Sequence, residues 1–226
     1  MERHTHAAVF TYGLSPDADL WADDVEGLGL EGIRARLHYR GEAIAVGVPH
    51  LGRHSIYGVL RGAAAGLVEG LGWDEIVDGL AAPKVQLRLV TVRGPHGSLI
   101  IDDTFNSSPP SAVAALSLLA DLEGRKVAVL GDMLELGAYE REGHLEVGRR
   151  AAEVVSDLIV VGARAQMIAE GAVSRGLSPA CVHMAPDSDA AIDIVRTLLR
   201  PDDVVLVKGS HAVRMEAIVS ALRIDS

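Results

Sequence analysis

Three short stretches combine charged, amide and small residues in patterns suited to binding a polar ligand. The first is Asp102-Asp103-Thr104-Phe105-Asn106-Ser107-Ser108-Pro109-Pro110-Ser111. An aspartate at the end of a strand can accept hydrogen bonds from sugar hydroxyls, and an asparagine amide can read the edge of a base. The same residue types also build ordinary turns, with Ser111 able to cap a helix, and spacing leaves both readings open. The second is Gly131-Asp132-Met133-Leu134-Glu135-Leu136-Gly137, with His144 opening the next helical pattern. Two acids framed by two glycines suit an acidic, backbone-lined pocket for an ammonium group; they suit a solvated loop equally well. The third is Lys208-Gly209-Ser210-His211, just ahead of the last helical pattern. A lysine beside a helix N-terminus is electrostatically disfavoured unless an anion joins it, so a carboxylate or phosphate is expected there. The plainer alternative is a lysine at the sheet end with Ser210 as helix cap.

Other patterns carry less. Gly27-Leu28-Gly29-Leu30-Glu31-Gly32 matches the dinucleotide-binding glycine pattern, which needs a strand before it and a helix after it. An acidic stretch precedes it and an alternating strand follows, so a flexible turn is expected. His50 and His54 are four apart, but Pro49 comes before them and Gly52 lies between them, and no cysteine pair accompanies them, so no metal site is expected. No Gly-x-Ser-x-Gly elbow is present, and none of the 226 residues forms the Gly-x-x-x-x-Gly-Lys-Ser/Thr phosphate loop.

The elements that must position these stretches are legible from periodicity. Ile33, Ala35, Leu37 and Tyr39 alternate with Arg34, Arg36, His38 and Arg40; Gly41-Glu42 is expected to turn the chain into a return strand over Ala43–Val48. Residues 54–70 and Asp74–Leu80 read as helices, Ala81-Ala82-Pro83 as a break, and a domain boundary is expected near residue 84. Beyond it, strands are expected at Leu99–Ile101, Lys126–Leu130, Leu158–Val161, Val182–Met184 and Val204–Val207. Helices are expected at Ser111–Leu122, Glu142–Val155, Ala163–Gly171 and Asp187–Leu199, with a last one carrying Met215, Ile218, Val219 and Leu222 inward. This alternation implies right-handed crossovers and a mostly parallel sheet covered on both faces.

Composition agrees with such packing. Apolar residues make up 49% and aromatics 4%, with 24 glycines, so an aliphatic core with closely approaching helices is expected. The net charge of −10 argues against a nucleic-acid surface. Cys181 is the sole cysteine, which excludes an intrachain disulfide, and no apolar run reaches the ~18 residues of a membrane span. The N-terminal residues carry no signal-peptide pattern, and a cytoplasmic location is expected.

The Gly-Asp-Met-Leu-Glu-Leu-Gly run, His144 and Gly148 after it, the Asp-Asp-Thr-Phe-Asn stretch, and Lys208-Gly209-Ser210 with Met215-Glu216 resemble the Mur ligase family, in its D-alanyl-D-alanine-adding branch. The resemblance covers nearly the whole chain. It implies that residues 1–83 form the last part of a central ATPase domain. It implies that residues 84–226 form a complete, independently folding C-terminal domain of α/β, Rossmann-like class. Such ligases use ATP and magnesium to convert a carboxylate of a UDP-muramoyl tripeptide to an acyl phosphate, which the amine of D-alanyl-D-alanine then attacks. By resemblance, Arg88, Asp103, Asn106 and His54 would serve the nucleotide. Asp132, Glu135, Lys208, Ser210 and His211 would receive the dipeptide, with Lys208 near its carboxylate. The sequence departs from the family where Ser55 and Gly58 replace asparagines, Phe105 replaces tyrosine and His211 replaces arginine. Lacking the phosphate loop, these residues alone are expected to bind ATP loosely and to be inactive without the family's N-terminal and ATPase segments. Two alternatives are a non-catalytic relative that keeps a small-ligand pocket, and an amide ligase with another amine substrate.

Overall fold

The computed structural model describes residues 7–82 and 90–224. They fall into two compact units that divide between Val85 and Gln86. The boundary expected near residue 84 lies outside the described residues, as does Arg88.

The first unit is a four-stranded sheet with two helices. Its strands are β1 (Tyr12–Gly13), β2 (Leu20–Gly27), β3 (Ile33–Tyr39) and β4 (Glu42–Val48), lying in that order. The first pair is parallel and the rest are antiparallel. The alternation in β3 buries Ile33, Ala35 and Leu37 against Val59, Leu60 and Ala63 of α1 (Ile56–Val68) and Ile76 of α2 (Trp73–Ala81). The β3–β4 turn is Arg40-Gly41 rather than Gly41-Glu42. Both residues have positive φ, 49° and 85°, the handedness that matches strand twist in a two-residue hairpin. The acidic stretch before the glycine pattern is itself a strand, β2. Its Asp23 and Asp24 pair across to His38 at 2.9 Å and Arg36 at 2.7 Å. The glycine pattern then enters β3 through a 3₁₀ turn, Gly29–Glu31, so the helix a nucleotide would need does not follow it. Gly32 is there because a Cβ would sit 2.0 Å from the Val48 carbonyl oxygen.

The second unit is a six-stranded sheet of β5 (Val90–Arg93), β6 (Leu99–Asp103), β7 (Lys126–Gly131), β8 (Asp157–Val161), β9 (Val182–Ala185) and β10 (Val204–Lys208). Their order is β5-β6-β10-β7-β8-β9, all parallel except β5. The helices α3 (Pro109–Asp121), α4 (Glu140–Ala152) and α5 (Gln166–Ser174) form one layer. The helices α6 (Ser188–Leu198) and α7 (Glu216–Leu222) pack with Val127, Val129, Ile159, Val205 and Val207 on the other face. The fold is therefore α/β, with helices on both faces of a mostly parallel sheet.

Several boundaries differ from expectation. α3 begins at Pro109, with prolines at its first two positions, where no N–H is needed; Ser111 Oγ accepts the Ser108 N–H at 3.0 Å in its first turn. The last helix does not follow Ser210. A 3₁₀ turn, His211–Val213, and Arg214 in the left-handed region at φ 56° come first. At the amino ends of the strands, Arg125 bridges Asp157 and Asp203, each at 2.6 Å, and so ties β7, β8 and β10 together. Among the described residues no helix is long and apolar enough to cross a membrane.

Candidate functional site

The carboxyl ends of β6, β10 and β7 lie side by side. The chain leaves β6 and β7 toward the α3–α4 layer, but leaves β10 toward α7 on the opposite face. Loops that diverge in this way open a crevice at the strand ends, where parallel sheets place their ligands. A cavity of about 630 Å³ sits here, lined by Phe105–Ser108 after β6, Leu134–Leu136 after β7 and Ser210–Ala212 after β10. That size suits a small ligand.

The β6 loop is shaped from within. Asp102 Oδ1 accepts the Thr104 N–H at 3.1 Å and its hydroxyl at 2.7 Å. The Asn106 amide oxygen accepts the Ser107 N–H at 2.8 Å. Lys208, the last residue of β10, is 2% exposed. Its ammonium meets the Asp103 carboxylate at 2.7 Å and donates to the Asn106 main-chain carbonyl at 2.7 Å. The anion expected beside this lysine is therefore Asp103, and neither residue lines the cavity.

The β7 loop is held from three sides. Ser210 donates its N–H to the Asp132 carbonyl at 3.0 Å, and its hydroxyl oxygen accepts the Leu134 N–H at 3.1 Å. His144, fully buried, accepts the Met133 N–H at Nε2 at 3.1 Å and donates from Nδ1 to the Glu140 carbonyl at 2.7 Å. That pattern fixes the ring in its Nδ1-protonated tautomer. The Asp132 carboxylate turns away from the cavity to accept the Ala165 N–H at 2.7 Å, with Arg164 at 4.0 Å. Gly131 and Gly209 sit back to back under Met215: a Cβ on Gly131 would meet Met215 Sδ at 2.9 Å, and one on Gly209 would meet Gly131 Cα at 3.1 Å. Glu135 is exposed at the cavity with φ 62°, a conformation that strains a residue other than glycine.

Of the residues expected to form a site, Asn106, Glu135, Ser210 and His211 come together on the cavity. Asp103, Asp132 and Lys208 lie behind it as support. His54 is exposed in the first unit, in a 3₁₀ turn that precedes α1, and His50 lies before that turn. Of the residues expected to serve a nucleotide, Asp103 and Asn106 belong to the second unit and His54 to the first. No group of three or more His, Cys, Asp or Glu side chains among them stands placed to hold a metal ion. Phe105, Leu134 and Leu136 line the cavity without having been singled out as contacts. Phe105 is 59% exposed, and a large aromatic beside Asn106 in a polar loop was the available signal.

A profile of the Mur ligase glutamate ligase domain matches residues 87–211. Over its whole length the chain is 34% identical to the UDP-N-acetylmuramoyl-tripeptide–D-alanyl-D-alanine ligase of Mycobacterium tuberculosis, covering 48% of that protein. Identity is 35% to the ligase of the same name from Escherichia coli, over 80% of this chain and 39% of that one. A crystal structure of MurF from Acinetobacter baumannii superposes with a TM-score of 0.79 at 28% identity, over 93% of this chain and 46% of that one. MurF ligase from Thermotoga maritima in complex with ADP shares the fold, with a TM-score of 0.75 at 23% identity over 93% of this chain and 47% of that one. The chain thus spans less than half the length of these relatives.

Proposed function

The chain belongs to the Mur ligase family, and from that premise we propose that it forms the amine-receiving part of a peptidoglycan ligase that joins D-alanyl-D-alanine to a UDP-muramoyl tripeptide. The observation that carries the reading is the makeup of the cavity. Its ionisable lining side chains are Glu135 and His211, one acid and one imidazole, among Asn106, two leucines, Phe105 and serines. A dipeptide zwitterion offers an ammonium to Glu135 and a carboxylate to His211 and Ser210, and its methyl groups to the apolar lining.

The chain's contribution to amide formation is positioning. An amine held beside an activated carboxyl attacks it within one complex instead of by chance encounter, and the developing charges meet fixed dipoles. ATP supplies the activation in ligases of this kind. The chemistry we assign to the described cavity residues is on the amine side. Asn106, on the same lining, is our proposed contact to the nucleotide or acyl donor from this unit.

The test is an NMR titration of the chain with D-alanyl-D-alanine and with its L,L enantiomer. Millimolar affinity is expected, on the order of 4 kcal/mol, with shifts at residues 134–136 and 210–212 for the D,D form. His211→Arg is expected to tighten binding, because a guanidinium grips a carboxylate through two bonds. Shifts elsewhere, or equal shifts for both enantiomers, would sink the reading in favour of a pocket for another ligand.

A further inference from the structure

We infer that Lys208 is a positioning residue that holds the turn from Asp103 to Ser108 over the sheet, so that Phe105 and Asn106 face the cavity while the lysine itself touches no ligand. Only the binding arm of the test below rests on the reading of the cavity given above.

The placement follows from register. Lys208 stands opposite Asp103 on β6 and Leu130 on β7, in the middle of the sheet at the carboxyl ends of its strands. Its long stem is enclosed, with 2% of the residue exposed. An ammonium has three N–H donors and no acceptor. Here it is neutralised by Asp103 and spends another donor on the Asn106 carbonyl. That carbonyl belongs to the main chain beyond the end of β6, so the bond fixes a backbone position in the middle of the turn. The two flanks are shaped locally, by Asp102 with Thr104 on one side and by Ser108 with Ser111 on the other. Phe105 and Asn106 stand between these flanks, and the bond from β10 ties that middle to the sheet. A charged donor makes this bond short and strong, and Asp103 makes the buried charge tolerable.

The experiment uses the full chain in three forms: wild type, Lys208→Met, and Lys208→Met with Asp103→Asn. The double variant leaves no uncompensated carboxylate and keeps the test valid if the single variant fails to fold. Amide exchange at residues 104–108 is expected to quicken about tenfold or more in both variants, while residues 126–131 and the first unit keep their protection. The Ser107 nitrogen shares its peptide group with the Asn106 carbonyl, so its ¹⁵N shift should move more than those of residues 131–137. A general loss of stability would produce neither localisation. Affinity for D-alanyl-D-alanine should fall together with loop order. Unchanged exchange and unchanged Ser107 shift in the double variant would overturn the inference. So would an ordered loop that has lost the dipeptide, which would make Lys208 a direct contact. If the wild type itself binds no dipeptide, the reading of the cavity fails while the exchange and shift data still decide the role of Lys208.

Discussion

At the scale of single residues, chemistry was legible but partnership was not. Asp103 and Lys208 were each marked by type and by position at a strand end, and were given separate jobs on a nucleotide and a dipeptide. The sheet order inserts β10 beside β6, and the two become each other's counter-ion. No local spacing carries that information, because it depends on which strands become neighbours. Asp132 shows the same limit: its acid faces the Ala165 N–H, a bond that exists only once β7 and β8 are side by side. The pair makes a sharp prediction. Asp103→Ala leaves the Lys208 ammonium buried beside a void, and should lower the stability of the second unit by about 3–5 kcal/mol. Urea denaturation of both proteins checks it; a difference below about 1 kcal/mol would mean that water or another group takes over readily.

At the scale of elements, the strands were read well because β6, β7, β8 and β10 are short apolar runs between polar breaks. β5 leaves no such trace: it is four residues long, and both its end residues, Val90 and Arg93, are exposed. The start of α7 was misplaced because Met215 and Ile218 have helical spacing, whereas the left-handed Arg214 leaves no periodic trace. The sequence alone gives no reason for a glycine at position 148; the packing of α4 on α5 does. A Cβ at Gly148 would stand 2.0 Å from the Ile168 carbonyl oxygen, and one at Gly171 would stand 2.4 Å from that of Leu145. The two helices touch backbone to backbone, so Gly148→Ala must push them apart. It should cost about 1–3 kcal/mol in thermal or urea unfolding despite alanine's better helix propensity; a stabilised variant would show that the helices slide freely. The same two helices are joined at their ends by Glu153, which accepts from Arg175 at 2.8 Å and Arg150 at 3.1 Å. Hydrogen bonds from Arg175 and then Arg150 hold its carboxyl below the ordinary 4.5. A lowered carboxylate contributes stability above its unfolded value, and that contribution disappears as pH falls through the folded one. Glu153→Gln should therefore be slightly less stable at neutral pH and converge with wild type in acid. A constant gap in melting temperature down to pH 2 would contradict the assignment.

At the scale of the whole molecule, two units with separate cores carry the sequence, and the candidate site belongs to the second. The doubly covered parallel sheet was legible from the alternation of apolar runs with helical patterns. The crevice was not, because it arises from helices leaving adjacent strands toward opposite faces. These 226 residues contain no Gly-x-x-x-x-Gly-Lys-Ser/Thr phosphate loop. The chain by itself should release no phosphate from ATP above background, with or without D-alanyl-D-alanine. Magnesium-dependent turnover by protein freed of contaminating ATPases would show that some other segment cradles the phosphates.

The seclusion of Lys208 also makes the chain a natural timekeeper. It has three lysines, Lys84, Lys126 and Lys208. An amine-reactive reagent added in excess to the folded protein can modify Lys208 only during moments when the crevice comes apart. The mass increment on the peptide that carries it would then accumulate at the frequency of that breathing, read against the half-buried Lys126 in the same sample. A ligand seated on Phe105 and Asn106 would slow this clock without ever touching the nitrogen that keeps the time.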